Sequence, residues 1–182
     1  MRAIFAGSIL ELETYPDYTD VAETANDYIE NARLKAQALR KQLHDVGISV
    51  AVLADDSGLE VDALDGRPGV LSARYAGPNA TWPDRRQKLL GELLDVANSR
   101  RTARFVCAMV LILPNGTELS AVGVLDGSIA EEERGSTGFG YDPIFVPQKE
   151  ERTFAQFSFE EKNRVSHRKK AADELLVELS EK

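Results

Sequence analysis

Apolar residues recur along this chain with two periods. From about residue 24 to 46, Tyr28, Ala32, Ala36, Leu39, Leu43 and Val46 stand three or four positions apart, which predicts an amphipathic helix ended by Gly47. Residues 50–54 are instead apolar without a break, the pattern of a strand buried on both faces. A longer run over 102–113 predicts a second strong strand. Pro114-Asn115-Gly116 turns it, and residues 118–125 return as its hairpin partner. Asp126-Gly127 predicts one more turn, into a short segment at 128–130. Residues 84–97 read as a helix on Leu89, Leu90, Leu93 and Leu94, with Arg85, Arg86 and Lys88 as a solvated basic face. The last helix presents Ala171, Leu175, Leu176 and Leu179. At the start, residues 1–7 read as the end of a helix with Gly7 at its C-cap, and the alternation over 8–14 predicts a half-exposed strand.

Composition narrows this picture only a little. At 182 residues the chain is most economically one domain, 1–182, able to bury a sizeable core. No apolar run reaches membrane-span length and the start is no signal peptide, so the protein is expected in the cytoplasm, away from membranes. The single cysteine, Cys107, lies in the 102–113 strand, where a small buried hydrophobe is the expected role. A net charge of −8 argues against a nucleic-acid backbone as partner, which requires basic surface. It leaves nucleotides open, since they need only a local basic pocket.

Three stretches carry candidate chemistry. The strand at 50–54 runs into Asp55-Asp56-Ser57-Gly58, and in open α/β sheets ligands gather beyond the carboxyl ends of strands. Neighbouring acids beside a buried strand are costly unless a cation or hydrogen-bond donors offset them, and Mg²⁺ suits one or two carboxylates completed by waters and phosphates. An acidic turn with Asp56 or Ser57 as a cap reads equally well at this point. The second stretch is Gly135-Ser136-Thr137-Gly138-Phe139-Gly140-Tyr141-Asp142-Pro143, whose glycines allow close backbone approach while Phe139 and Tyr141 offer flat faces to a base. In the third, Ser158 with Glu161 forms a capping box, and Ser166 caps the last helix. There Lys162, Arg164, Arg168, Lys169 and Lys170 read first as a solvated basic face, but cations clustered at a helix start oppose the macrodipole, a placement that an anionic ligand would explain.

These stretches resemble the inosine/xanthosine triphosphate pyrophosphatases, a purine nucleoside triphosphate pyrophosphatase family. The resemblance lies in Ala54-Asp55-Asp56-Ser57-Gly58-Leu59-Glu60-Val61 with Gly66, Pro68-Gly69 and Ser72-Ala73-Arg74-Tyr75, then Gly138-Phe139-Gly140-Tyr141-Asp142-Pro143, then Glu161-Lys162 and Ser166-His167-Arg168. It implies an elongated α/β fold on a long mixed sheet flanked by helices, with two lobes around a central nucleotide cleft, and a homodimer. It implies Asp56 as catalytic acid/base and Mg²⁺ ligand, Glu23 as a second metal-associated carboxylate, and Ser57 touching substrate. Phe139, Gly140, Tyr141 and Asp142 would line the base pocket, Lys162, His167 and Arg168 would hold base and phosphates, and Asp55 and Arg74 would support them. The implied reaction is hydrolysis of dITP, ITP or XTP to the monophosphate and pyrophosphate, clearing deaminated purines from the nucleotide pool.

The chain departs from the family pattern at its start. The family opens with a strand, a Ser/Thr-x-Asn-x-x-Lys loop that grips the triphosphate, and a helix. The nearest counterpart here, Thr24-Ala25-Asn26-Asp27-Tyr28-Ile29, lacks the lysine, and the usual paired glutamate and following glycine around Glu23 are Ala22 and Ala25. Residues 1–7 align with the end of the opening helix, so the chain is expected to lack the first strand and the loop, with a misplaced start codon preferred over a real loss. A real loss would favour the alternative function, a nucleotide-binding protein without catalysis. A receiver-like use of the Asp55-Asp56 pair leaves the glycine–aromatic loop and His167-Arg168 without a role.

Overall fold

Five strands form one sheet in this computed structural model, which describes residues 1–182. They are β1 (Val52–Val61), β2 (Pro68–Gly69), β3 (Thr102–Ile112), β4 (Glu118–Ile129) and β5 (Phe145–Pro147), in the order β2-β1-β3-β4-β5. β1 meets β2 antiparallel through Leu59 and Gly69, and β4 meets β5 antiparallel through Ser128 and Val146. The helices are α1 (Arg2–Phe5), α2 (Tyr28–Asp45), α3 (Trp82–Glu92), α4 (Phe159–Val165) and α5 (His167–Ser180). The chain gathers into two units, each built from separate stretches. The first comprises Met1–Ser57, Cys107–Gly123 and His167–Lys182, and the second Gly58–Val106 and Val124–Ser166.

In the first unit the strands are covered on both faces, as their unbroken apolar runs require. Val52, Ala54, Val110 and Ile112 pack against Ala32, Ala36 and Leu43 of α2. Leu53, Cys107, Met109 and Leu111 pack on the other side with Ala171, Ala172 and Leu175 of α5 and with Phe5. The period-two alternation of a strand thus sorts β1 and β3 into an α2 face and an α5 face. Helix α5 crosses β4 so closely that a Cβ on Gly123 would lie 2.1 Å from the His167 carbonyl oxygen and 2.3 Å from the Ala171 amide nitrogen. Only glycine admits that approach.

The second unit has its own core, from Leu59, Val61, Leu89, Leu93, Phe105, Ile144, Phe145, Phe154 and Phe157. The Phe105 and Phe145 rings lie 4.3 Å apart between centroids. Helix α3 opens on a capping box in which Thr81 and Asp84 satisfy each other's backbone amides. Buried Arg101 closes its other end, donating to the carbonyls of Leu93 (2.8 Å) and Val96 (3.0 Å).

Several sequence expectations need correction. Residues 8–14 form no strand; turn and irregular backbone cover them. The buried strand begins at Val52 and continues to Val61, so Asp55 and Asp56 stand inside it rather than beyond its end. Helix α2 starts at Tyr28, because Asp27 adopts extended backbone and its carboxylate accepts from the Glu30 amide as N-cap. No turn forms at Asp126-Gly127: β4 runs on to Ile129, where its end pairs with β5. Arg85 and Arg86 are buried rather than solvated. Arg85 lies over the Trp82 ring at 4.9 Å, while Arg86 donates to the Gly140 carbonyl at 2.8 Å and faces Glu133 at 2.9 Å. Helix α1, the hairpin and the Ser158–Glu161 capping box stand as expected.

Candidate functional site

Alternation along β1 separates the two adjacent acids. Asp56 shares a face with Val52 and Ala54 and looks toward α2, while Asp55 looks toward α5 with Leu53 and Ser57. They therefore form no carboxylate dyad, and each has its own surroundings.

Asp56 is buried and met by two side chains one turn apart on α2. Its Oδ2 accepts from the Asn31 amide at 3.2 Å, and its Oδ1 from the Lys35 ammonium at 3.0 Å. Lys35 Nζ also donates to Glu23 Oε1 at 3.0 Å, so two carboxylates converge on one cationic centre. Asn31, fully buried, fixes the loop that brings Glu23 there: its Oδ1 accepts from the Ala25 amide at 3.0 Å and its Nδ2 donates to the Ala25 carbonyl at 3.3 Å. Burial pushes the Asp56 carboxyl above its ordinary range, an effect the Lys35 charge opposes and the Glu23 charge reinforces. Burial works against the Lys35 ammonium, but its bonds to Glu23 and Asp56 outweigh that and raise its pKa.

On the opposite face, Asp55 Oδ2 accepts from Arg168 Nε at 3.2 Å and from the Ser57 hydroxyl at 3.3 Å, with the Cys107 thiol 3.9 Å away. Arg168 Nη1 lies 3.2 Å from Nε2 of buried His167. Burial, and then the Asp55 charge, push the Cys107 thiol up to about 12. It is a small buried hydrophobe, as expected.

The glycine–aromatic stretch lies in the second unit. Gly138 has φ +80°, and a Cβ there would sit 2.2 Å from Asp142 Oδ2, so the loop folds tightly on that carboxylate. Asp142, 3% exposed, accepts from the Phe139 amide at 2.7 Å and pairs with Lys162. The Lys162 ammonium lies 4.8 Å from the ring centres of both Phe139 and Phe154. Phe139 is 58% exposed and has a ring face to offer a base. Tyr141 does not: it is 2% exposed, packs edge-on to Trp82 at 5.6 Å and donates to the Ser72 carbonyl at 3.0 Å. Its expected stacking role is corrected to that of a loop anchor, since a ring sealed in the core has no face left for a ligand. Arg74 is exposed in the turn at Ser72–Arg74.

The expected site residues thus fall into two groups. Glu23, Asp55, Asp56, Ser57, His167 and Arg168 belong to the first unit, and Arg74, Phe139, Gly140, Tyr141, Asp142 and Lys162 to the second. Sequence reasoning missed Asn31 and Lys35 as site residues. Their signal was polar positions four apart, flanking the apolar stripe at 28, 32 and 36.

A divalent cation is testable against this geometry. Nowhere do three or more His, Cys, Asp or Glu side chains gather in a metal-holding group. Asp56 and Glu23 nevertheless bring two carboxylate oxygens to one positive charge. Two carboxylates, with waters and substrate phosphates supplying the rest, suit Mg²⁺ better than a metal that needs a complete protein cage. The donor set fits.

The chain is similar to known proteins over nearly its whole length. A profile of the Ham1 family matches residues 1–178. The dITP/XTP pyrophosphatase of Geobacillus kaustophilus is 46% identical over 176 residues, 95% of this chain and 84% of that protein. The dITP/XTP pyrophosphatase of Streptomyces avermitilis is 42% identical over 181 residues, 97% of this chain and 88% of that protein. Among solved structures, a HAM1 protein from Coxiella burnetii superposes with a TM-score of 0.80 at 43% identity, covering 90% of this chain and 82% of that one. The Ham1 protein of Staphylococcus aureus does so with a TM-score of 0.79 at 43% identity, covering 91% and 82%.

Proposed function

The chain belongs to the Ham1 family, and from that premise we propose that it hydrolyses deaminated purine nucleoside triphosphates (dITP, ITP and XTP) to the monophosphate and pyrophosphate. The reading rests on one observation above the others: Asp56 and Glu23 converge on a single cationic centre from a buried strand and a pinned loop. When bound there, Mg²⁺ supplies charge neutralisation for the phosphates and lowers the pKa of water in its reach.

The chain's own residues do the remainder. Asp56 is held by Asn31 through one oxygen, which fixes the carboxylate plane and aims the other oxygen. It orients the attacking water and takes its proton as that water adds to the α-phosphorus, while the bridging oxygen leaves with pyrophosphate. Arg168, oriented by Asp55, presents donors suited to a purine 6-oxygen. The 6-amino group of adenine would leave those donors unpaired, which a site of this kind rejects strongly. Within the second unit, Phe139 keeps an exposed ring beside the Lys162 charge, a surface suited to stacking by a base. The same reading carries a homodimer, which sedimentation of the purified chain tests.

The deciding assay is pyrophosphate release from inosine, xanthosine and adenosine triphosphates, with Mg²⁺ or EDTA. Turnover of the first two only, lost in EDTA and reduced roughly 10²–10⁴-fold in Asp56→Asn, is expected. A folded chain that binds inosine triphosphate without cleaving it would refute catalysis and favour a nucleotide-binding module.

A further inference from the structure

The position of Lys35 has a consequence beyond the reaction. We propose that its ammonium is the resident counter-ion of the Asp56–Glu23 pair, so that a divalent cation enters the nucleotide-free protein only by displacing it. This rests on the reading of those two carboxylates as metal ligands. Lys35 Nζ stands 3.0 Å from Asp56 Oδ1 and 3.0 Å from Glu23 Oε1, the two oxygens that would hold the metal. The side chain is 17% exposed and Asp56 8%, so bulk water screens neither charge well.

Charge counting gives the direction of the effect. Two carboxylates and one ammonium leave a net single negative charge, a weak attractor for a divalent ion. An ammonium and a metal compete for those oxygens, because like charges a few ångströms apart repel strongly in poorly screened surroundings. Anionic phosphates arriving with the metal change the balance, since they give the displaced ammonium a new partner on its flexible four-carbon stem. Lys35 therefore holds the ligands in register without a metal and couples metal entry to nucleotide entry.

The test is Mn²⁺ binding to the nucleotide-free protein, followed by electron paramagnetic resonance of free Mn²⁺ and by calorimetry. Lys35→Met keeps the apolar stem and removes the charge; circular dichroism confirms its fold. If that variant does not fold, Lys35→Gln takes its place, since it keeps a hydrogen-bond donor without the charge. We expect the neutral variant to bind Mn²⁺ at least tenfold more tightly than the natural chain, and Asp56→Asn introduced into it to abolish the gain. Mn²⁺ should also raise the neutral variant's melting temperature more than that of the natural chain. Equal or weaker Mn²⁺ binding by the neutral variant, still sensitive to Asp56→Asn, would overturn the counter-ion role and leave the metal-ligand reading standing. Binding indifferent to Asp56→Asn in both backgrounds would overturn both.

Discussion

Replacing Asp142 by Asn tests what shapes the glycine–aromatic loop. The asparagine keeps an oxygen for the Phe139 amide, now met at 2.7 Å, but removes the charge facing Lys162. The Lys162 side chain is 16% exposed and Asp142's 4%, so the ammonium would be left nearly buried against two phenyl rings. Removing one partner of a buried ion pair costs about 3–5 kcal/mol, and water reaching the slightly exposed ammonium brings that to about 2–3 kcal/mol here. In a chain of this length each kcal/mol moves the melting temperature by about 2–4 °C, so a fall of roughly 4–12 °C is expected. Differential scanning calorimetry of Asp142→Asn, Lys162→Met and the double variant closes the cycle. The double variant should lose less than the two single losses added together, because it no longer strands a charge. A shift under about 1 °C for Asp142→Asn, or strictly additive losses, would refute the reasoning.

Three further outcomes follow from the packing. Gly123→Ala places a methyl group 2.1 Å from a backbone oxygen of α5, so it should fold poorly or melt well below the natural chain; an unchanged melting curve would contradict the close approach. The Cys107 thiol, buried and with its pKa pushed up to about 12, should resist a disulfide reagent at pH 8 in the native protein and react fully in guanidinium. Thr81 holds the Asp84 carboxyl below its ordinary value of 3.8. That support is complete above the ordinary value and is lost as pH falls through the depressed one, so Thr81→Ala should destabilise at pH 7 in urea melts and by less at strongly acidic pH, where only the loss of its cap on the Asp84 amide remains.

The strands and helices with strong periodicity were legible because one physical cause, burial, dictated their pattern: β3 and α2 are visible in the order of apolar residues alone. The extension of β1 through Asp55-Asp56-Ser57 was hidden, since charged residues inside a strand contradict its pattern until partners on both faces are known. The alternation over 8–14 resembled a strand, but pairing depends on a neighbour that local sequence does not reveal. Tyr141 and Phe139 have similar ring faces in the sequence and opposite exposure in the fold, because only the tertiary context supplies Trp82 and the Ser72 carbonyl. Lys35 went unread as a site residue for the same reason. A lysine beside an apolar stripe is ordinary until two carboxylates from elsewhere arrive at its ammonium.

The chain passes from one unit to the other after Ser57, Val106, Gly123 and Ser166. No single cut in the gene therefore yields either unit alone. On the ribosome, every stretch of the second unit has been made before His167–Lys182. The first unit waits for that last segment, and until α5 is made the face of β1 and β3 bearing Leu53, Asp55, Cys107, Met109 and Leu111 has only the short α1, through Phe5, and its flanking residues against it. From the completion of β3 at Ile112 until α5 is made, the nascent chain thus carries an apolar strip, a natural target for a holding chaperone, and a ribosome that stalls before residue 167 releases a product whose first unit cannot close.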